Sequence, residues 1–335
     1  MSKPALTVWC LSDGRPGHFN QSKGLIQALE RGYDVRLHWI DCSLQAKPLR
    51  PILRQLLNAE LATNLMVKLH RFERPDTPPD LILSTGGNTA YLNIALARQL
   101  NCPNWFIGSL RGLKPSLFHR VFTIEALNAD NNIVMPLAPV PSNRQDQQNA
   151  AIKLRQEQGI PTDQTLWTLL IGGSTEEYSY SDQNWSALAA QMNTLAEQHD
   201  IRWLVTSSRR TGIEVEQKLA SQLSEPLLAD TTWFCQQPRK VMAAYLGAAD
   251  IIFCSEDSLS MLTEGIASGK AVVSLYPPQH QPAERYKAAL ERLEQRCWLE
   301  RQPMAEISAP SGEQADIDPT EDLWQRIESS VPAAR

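Results

Sequence analysis

The stretch that most constrains the fold of this chain is residues 251–270, with the run at 271–275 that follows it. From Ile251 to Cys254 the chain is continuously apolar, the pattern of a strand buried on both faces of a parallel sheet. Residues 255–258, Ser-Glu-Asp-Ser, then supply helix N-cap chemistry. Leu259, Leu262 and Ile266 give the helix that follows one apolar face, and Gly269 suits its C′ position. Another apolar run, residues 271–275, completes a strand–turn–helix–strand unit. Such units build parallel α/β sheets, whose ligand sites lie beyond the carboxyl ends of the strands. The turn at 255–258 is therefore expected at a site where backbone N–H groups meet an anion. Glu264 follows Ser258 by about one and a half helical turns, placed to reach a pair of hydroxyls beside a bound phosphate.

The same grammar occurs near the start. Residues 6–11 read as a buried strand running into Ser12-Asp13-Gly14-Arg15-Pro16-Gly17-His18, with a helix expected over about 20–32. The turn lacks both the Gly-x-Gly-x-x-Gly spacing of a dinucleotide site and the P-loop pattern. Histidine's ordinary pKa lies near neutrality, so His18 is the first candidate for a general base. Asp13 is either the base itself or the group that orients His18. A third strand, residues 79–84, opens into Thr85-Gly86-Gly87-Asn88-Thr89 and a helix through Leu100. Gly86 and Gly87 let another group approach the backbone closely, and with Asn88 they form part of the expected acceptor side. Arg111 and Lys114, after a strand at 104–108, are candidates for an acceptor phosphate. Between these elements, Leu53, Leu57, Leu61, Leu65 and Leu69 recur at every fourth position of a helix or helix pair expected over 51–72. That stripe reads either as core or as a basic amphipathic surface on a membrane.

Pro136, Pro139, Pro141 and the polar run 142–149 interrupt the pattern, the best linker in the chain. The expected organisation is an N-terminal Rossmann-like domain over 1–145, a second domain over 146–315, and a C-terminal helical segment over 316–335. In the second half, a strand at 166–171 opens into Gly172-Gly173-Ser174, and a strand at 201–206 ends in Ser207-Ser208-Arg209-Arg210. Arg209 or Arg210 is placed to pair with a diphosphate. Tyr178 and Tyr180 are candidate lining residues, and residues 305–318 read as irregular.

A chain of 335 residues has room for two domains, and none of its apolar runs approaches the roughly 20 residues that span a bilayer. The first apolar run is too short for a signal-peptide core. Six dispersed cysteines without a Cys-x-x-Cys pair predict reduced thiols and a cytoplasmic protein. Net charge is −5, but residues 1–140 hold 15 Lys plus Arg against 10 Asp plus Glu, and the remainder 17 against 27. The basic first half points to an anionic acceptor or to peripheral contact with the inner face of the cytoplasmic membrane. A basic-aromatic run of the nucleic-acid-binding kind is absent, and no Asp-x-Asp or Cys/His spacing offers a metal site.

The helix carrying Glu264 and ending in Ala-x-x-Gly-Lys, the Gly172-Gly173-Ser174 turn, and a first loop with Gly14, Gly17 and His18 together resemble the GT-B glycosyltransferases, notably the undecaprenyl-muramyl N-acetylglucosaminyltransferase type. Asp13, Arg15 and Pro16 depart from that pattern. Across both halves, Ser12–Asp13–Gly14–Arg15–Pro16–Gly17–His18, Thr85–Gly86–Gly87–Asn88–Thr89, Ile171–Gly172–Gly173, Ser207–Ser208–Arg209–Arg210–Thr211 and Glu256–Asp257–Ser258–Leu259–Ser260–Met261 resemble the bacterial relatives of the plant mitochondrial-fission "elongated mitochondria" family. The resemblance implies an α/β GT-B-like fold, two Rossmann-like domains with parallel sheets facing a central cleft, and a C-terminal helix crossing back. The narrower family implies the fold and no established reaction. On the GT-B resemblance the leading reading is a metal-independent transferase with no tightly bound cofactor, using a nucleotide diphosphate sugar (a UDP-sugar first) in the domain over 146–315. Its acceptor would lie in the domain over 1–145, on the side of Gly14, Gly17, Gly86, Gly87, Asn88, Arg111 and Lys114. The basic first half alone suggests a lipid-linked or lipopolysaccharide-type acceptor. Glu264 would hold the ribose. Gly172, Gly173, Ser174, Ser207, Arg209, Glu256, Asp257, Ser258 and Leu259 would line the donor site. A nucleotide-sugar epimerase and a non-catalytic nucleotide-binding scaffold are the alternatives.

Overall fold

The computed structural model describes residues 3–45, 47–61, 63–141, 143–312 and 317–332. They form two units: residues 1–141 together with 319–335, and residues 142–318.

Unit 1 is built on strands β1 (Ala5–Ser12), β2 (Asp34–Asp41), β5 (Leu81–Thr85), β6 (Asn104–Ile107), β7 (Arg120–Thr123) and β8 (Asn132–Val134), with a small antiparallel pair, β3 (Ser43–Leu44) and β4 (His70–Arg71). The six-stranded sheet runs β2-β1-β5-β6-β7-β8, parallel throughout. β1 and β5 are buried almost end to end, which is why they read as continuous apolar runs rather than alternating ones. Helices α1 (Pro16–Leu29), α2 (Arg50–Asn58), α3 (Thr63–Lys68) and α4 (Ala90–Leu100) connect them.

Unit 2 repeats the plan. Its sheet runs β12-β11-β9-β13-β14-β16, again six-stranded and parallel. These strands are β9 (Leu166–Leu170), β11 (Arg202–Thr206), β12 (Leu228–Thr232), β13 (Ile251–Ser255), β14 (Ala271–Tyr276) and β16 (Glu300–Pro303). A short antiparallel pair, β10 (Tyr178–Ser179) and β15 (Gln279–His280), lies outside the sheet. The helices are α5 (Arg144–Glu157), α6 (Asp182–His199), α7 (Ile213–Gln222), α8 (Met242–Ala248), α9 (Leu259–Ala267) and α10 (Glu284–Gln295). The two parallel α/β units are the architecture that the sequence implied. α11 (Pro319–Ile327) belongs to unit 1, where Leu323 and Ile327 join the core of β1 and α1.

Two expectations are corrected and a third is resolved. α1 begins at Pro16 instead of residue 20, because proline tolerates the first helical position, where its missing N–H has no partner to lose. His18 therefore sits in the first turn of a helix, not in a loop. Of the two forms expected over 51–72 the structure has the helix pair: α2 ends at Asn58, α3 begins at Thr63, and Glu60 between them sits at φ 64°. Leu53 and Leu57 are buried, whereas Leu61 and Leu65 are 57% and 42% exposed, so the leucine repeat does not continue one face. The linker reading of 142–149 also fails. Asn143 caps a helix, its side chain accepting from the Asp146 N–H, and α5 starts at Arg144. Polar content masked that helix, since only Ala151 and Leu154 are buried on it. Ser142, and residues 313–316 of the irregular segment, lie outside the described residues. All six cysteines are free, with Cys10, Cys42, Cys102 and Cys254 buried and Cys235 and Cys297 exposed.

α5 is seated on α8 through Gly247, where a Cβ would collide with the backbone carbonyl of Gln147. Gly247→Ala is expected to lower stability by about 1–3 kcal/mol through overpacking, read as a drop in the denaturant midpoint without a change in slope.

Candidate functional site

In unit 1 the site is assembled by two strand-end loops. Beyond β1, Gly14 turns at φ 75° with its N–H on the Ser12 hydroxyl, and the chain enters α1. Asp13, its side chain 4% exposed, accepts from Nδ1 of His18 at 3.0 Å and from the Asn88 side-chain amide at 3.0 Å. Asn88 in turn accepts from the Arg50 guanidinium at 2.6 Å. Burial alone would raise the Asp13 carboxyl, but the hydrogen bonds from His18 and Asn88, the charge on His18 and the Arg15 N–H together hold it below the ordinary carboxylate range. An ionised carboxylate only accepts, so Nδ1 of His18 carries the proton. In the neutral ring Nε2 then presents its lone pair, and it meets no hydrogen-bonding group among the described residues. The imidazole rests on Gly86, at φ 84°, where any Cβ would occupy the ring's place. That is the reason for glycine in the Thr85-Gly86-Gly87 turn: the close approach is His18's own.

Of the other acceptor-side residues, Gly87 lies beneath the Arg111 side chain and lines a cavity of about 230 Å³ with His18 and Asn88. Gly17 faces open space. Lys114 is spent on the Asn58 carbonyl at 3.0 Å and does not line the cavity.

In unit 2 the carboxyl ends of β9, β11 and β13 converge. Gly172 donates to the Ser255 hydroxyl at 2.7 Å, and its carbonyl accepts from Ser208 and Thr211, each at 2.6 Å. Gly173 donates to Asp257 at 3.0 Å. A Cβ on Gly172 would strike Asp257, and one on Gly173 would strike the Arg210 backbone. The Gly-Gly pair thus serves the packing of the protein's own loops, and its N–H groups are already used. Asp257 also accepts from Tyr180 at 3.0 Å and from Arg210 at 2.6 Å. Burial nevertheless leaves its carboxyl above the usual range. Arg210, and not Arg209, makes the ion pair; Arg209 is exposed. Ser174 is exposed and accepts from the Tyr180 N–H.

Glu256 is fully buried. It takes a two-pronged contact from Arg301 at 2.7 and 2.8 Å, plus the hydroxyls of Tyr178 and Ser274, each at 3.1 Å. Its oxygens are saturated, so its role is to join β13, β14 and β16. Ser207 is likewise buried and bonded to Glu216 at 2.6 Å, a carboxylate that also receives the Cys235 N–H. Arg301, Tyr178 as a partner of Glu256, and Glu216 were missed as site-shaping residues. β16, which carries Arg301, is polar and gives no strand signal in the sequence.

Two groups in this region remain uncommitted. Ser258, at the N-cap of α9, makes no side-chain cap, which leaves the first-turn N–H groups at Leu259 and Ser260 open. Glu264, one helical face away, meets no hydrogen-bond or ion-pair partner for its carboxyl among the described residues, and burial raises that carboxyl above the ordinary range.

These geometries give two expectations. Arg301→Met strands a buried carboxylate and should cost on the order of 3 kcal/mol in denaturant unfolding. Glu264→Gln should do the opposite. Because the folded-state pKa of Glu264 is raised, the folded state is penalised once pH exceeds the unfolded value of about 4.3. The glutamine variant is therefore expected to be more stable than the parent at neutral pH. That advantage should vanish as pH falls below the ordinary carboxylate range, and thermal unfolding at both ends checks it.

The chain is similar to a Rickettsia prowazekii protein, RP120, at 22% identity over 327 residues, covering 86% of this chain and 88% of the relative. Among solved structures it is similar to the UDP-GlcNAc 2-epimerase of Methanocaldococcus jannaschii, with a TM-score of 0.53 at 13% identity, covering 97% of this chain and 98% of that one. It is also similar to the ADP-heptose lipopolysaccharide heptosyltransferase II of Escherichia coli, with a TM-score of 0.50 at 13% identity over 97% and 98% of the two chains. The shared feature is the fold, that of the GT-B glycosyltransferases. The family model described as mitochondrial fission ELM1 matches residues 16–323; the chain belongs to that family.

Proposed function

We propose that the chain is a GT-B glycosyltransferase that takes a nucleotide diphosphate sugar in unit 2, a UDP-sugar first, and a glycan or lipid-linked acceptor in unit 1. The observation that carries the reading is the Asp13–His18 pair, with Nδ1 held by the carboxylate and Nε2 left open. In this arrangement Nε2 removes the proton of an acceptor hydroxyl as its oxygen attacks the anomeric carbon. The bond from that carbon to the diphosphate breaks, and the nucleoside diphosphate leaves with the electron pair. Asp13 stabilises the imidazolium that forms. In unit 2, the open start of α9 suits the diphosphate, with Arg210 and the exposed Arg209 at hand. The unpartnered carboxyl of Glu264 suits a pair of ribose hydroxyls. No helix among the described residues is long and apolar enough to cross a membrane. The exposed Leu61 and Leu65, near Lys68 and Arg71, support a peripheral contact with an anionic bilayer surface.

Thermal unfolding against UDP, GDP, CMP and dTDP species, with and without attached sugars, tests the donor half. A ligand at 100 times its Kd adds about 2.7 kcal/mol. One nucleotide family should raise the midpoint, and Glu264→Ala should abolish the shift. His18→Ala should keep the shift and lower turnover by about 10²–10⁴-fold. No shift with any nucleotide contradicts the proposal. A shift with epimerised donor and no acceptor requirement replaces transfer with epimerisation, and a shift with turnover indifferent to His18→Ala removes the base assigned here.

A further inference from the structure

The cavity beside His18 holds a concentration of positive charge that general-base chemistry does not require. Arg15, Arg50, Arg54 and Arg111 all line its roughly 230 Å³, together with Tyr91, and among the described residues no Asp or Glu does. Arg50, Arg54 and Arg111 form no ion pair among the described residues. Arg50 spends one nitrogen on Asn88, while its Nε is buried with no partner. Arg54 gives one nitrogen to the Arg111 carbonyl at 3.1 Å. The Arg111 side chain lies over Gly87 without a hydrogen bond.

This crowding is fixed by the backbone. Arg111 and Gly112 sit at φ 48° and 86°, a turn that non-glycine residues seldom adopt. Asn58 holds it from α2, its side chain donating to the Gly112 carbonyl at 2.9 Å and accepting from the Lys114 N–H at 2.9 Å. Like charges held together in a partly buried space repel, and the arrangement is favourable only with an anion between them. Guanidinium forks match the oxygens of a phosphoryl group in particular. The volume suits one charged group rather than a whole ligand of ordinary size.

We propose that this cavity binds a phosphoryl group, so that the acceptor taken by unit 1 is a phosphorylated molecule seated on Arg50, Arg54 and Arg111 with a hydroxyl near His18. Its assignment to an acceptor rests on the transferase reading; the phosphoryl site itself does not.

The test is calorimetric titration of the full chain, without any nucleotide, using inorganic phosphate, methyl phosphate, pyrophosphate and methanesulfonate. Saturable binding of the phosphates, stronger than that of methanesulfonate, is expected. Arg111→Gln, which removes an exposed and unbonded side chain, should weaken it about tenfold or more, and Arg50→Lys should weaken it with the fold retained by circular dichroism. Lys153→Gln, an exposed charge on α5, should leave it unchanged. Vesicles containing phosphatidic acid distinguish the source: Arg111-dependent capture means a lipid-borne phosphoryl group, and binding of the soluble phosphates alone means a soluble one. Three results overturn the proposal: no phosphate binding at millimolar concentrations, binding equal in parent and both arginine variants, or methanesulfonate bound as tightly as phosphate. Because donor binding is read separately through Glu264, failure here leaves the donor reading standing, and failure there leaves this site standing.

Discussion

The Asp13 carboxylate accepts from His18 on one side and Asn88 on the other, and so joins the loop after β1 to the loop after β5. Everything else in the unit 1 site hangs on that junction. It fixes the proton of His18 on Nδ1, rests the ring on Gly86, and through Asn88 draws in Arg50 from α2. Burial works against an ionised Asp13, and three donors together overcome it. Loss of any one donor would loosen both loops, because the same oxygens serve both.

Unit 2 uses its acids in two contrasting ways. Glu256 and Asp257 are saturated by Arg301, Arg210, tyrosine hydroxyls and backbone N–H groups, and they hold the sheet's carboxyl edge together. Glu264 is held half-buried with nothing to bond. A carboxylate in that state weakens the fold, the mark on which its proposed ligand role rests. The arginines of the unit 1 cavity carry the same mark with the opposite sign.

The strands β1, β5, β6, β9, β11, β13 and β14 and the helices over 90–100 and 259–267 were legible because burial on both faces and a regular apolar stripe leave a strong pattern. α5 was not, because nearly all of its residues are polar and only its capping box-like start and two core residues show it. β16 was not, because Glu300 and Arg301 are charged and Arg301 finds its partner, Glu256, 45 residues away. For the site, residue type was visible and commitment was not. Asp13 and His18 stand five residues apart and read as a pair. Nothing local revealed that Glu256 and Ser207 are consumed internally, that the Gly172-Gly173 N–H groups are occupied, or that Arg210 rather than Arg209 faces Asp257. Those facts depend on which loops the topology brings together.

The measurement that reaches the account most directly is the nitrogen-15 spectrum of imidazole-labelled protein, with His18 assigned by His18→Gln and recorded at alkaline pH, where the ring is neutral. His18 is expected in the less common tautomer, protonated on Nδ1 with a bare Nε2, and that tautomer is expected to be lost in Asp13→Ala. A ring protonated on Nε2 would leave no lone pair for an acceptor hydroxyl and would contradict the role assigned to the Asp13–His18 pair.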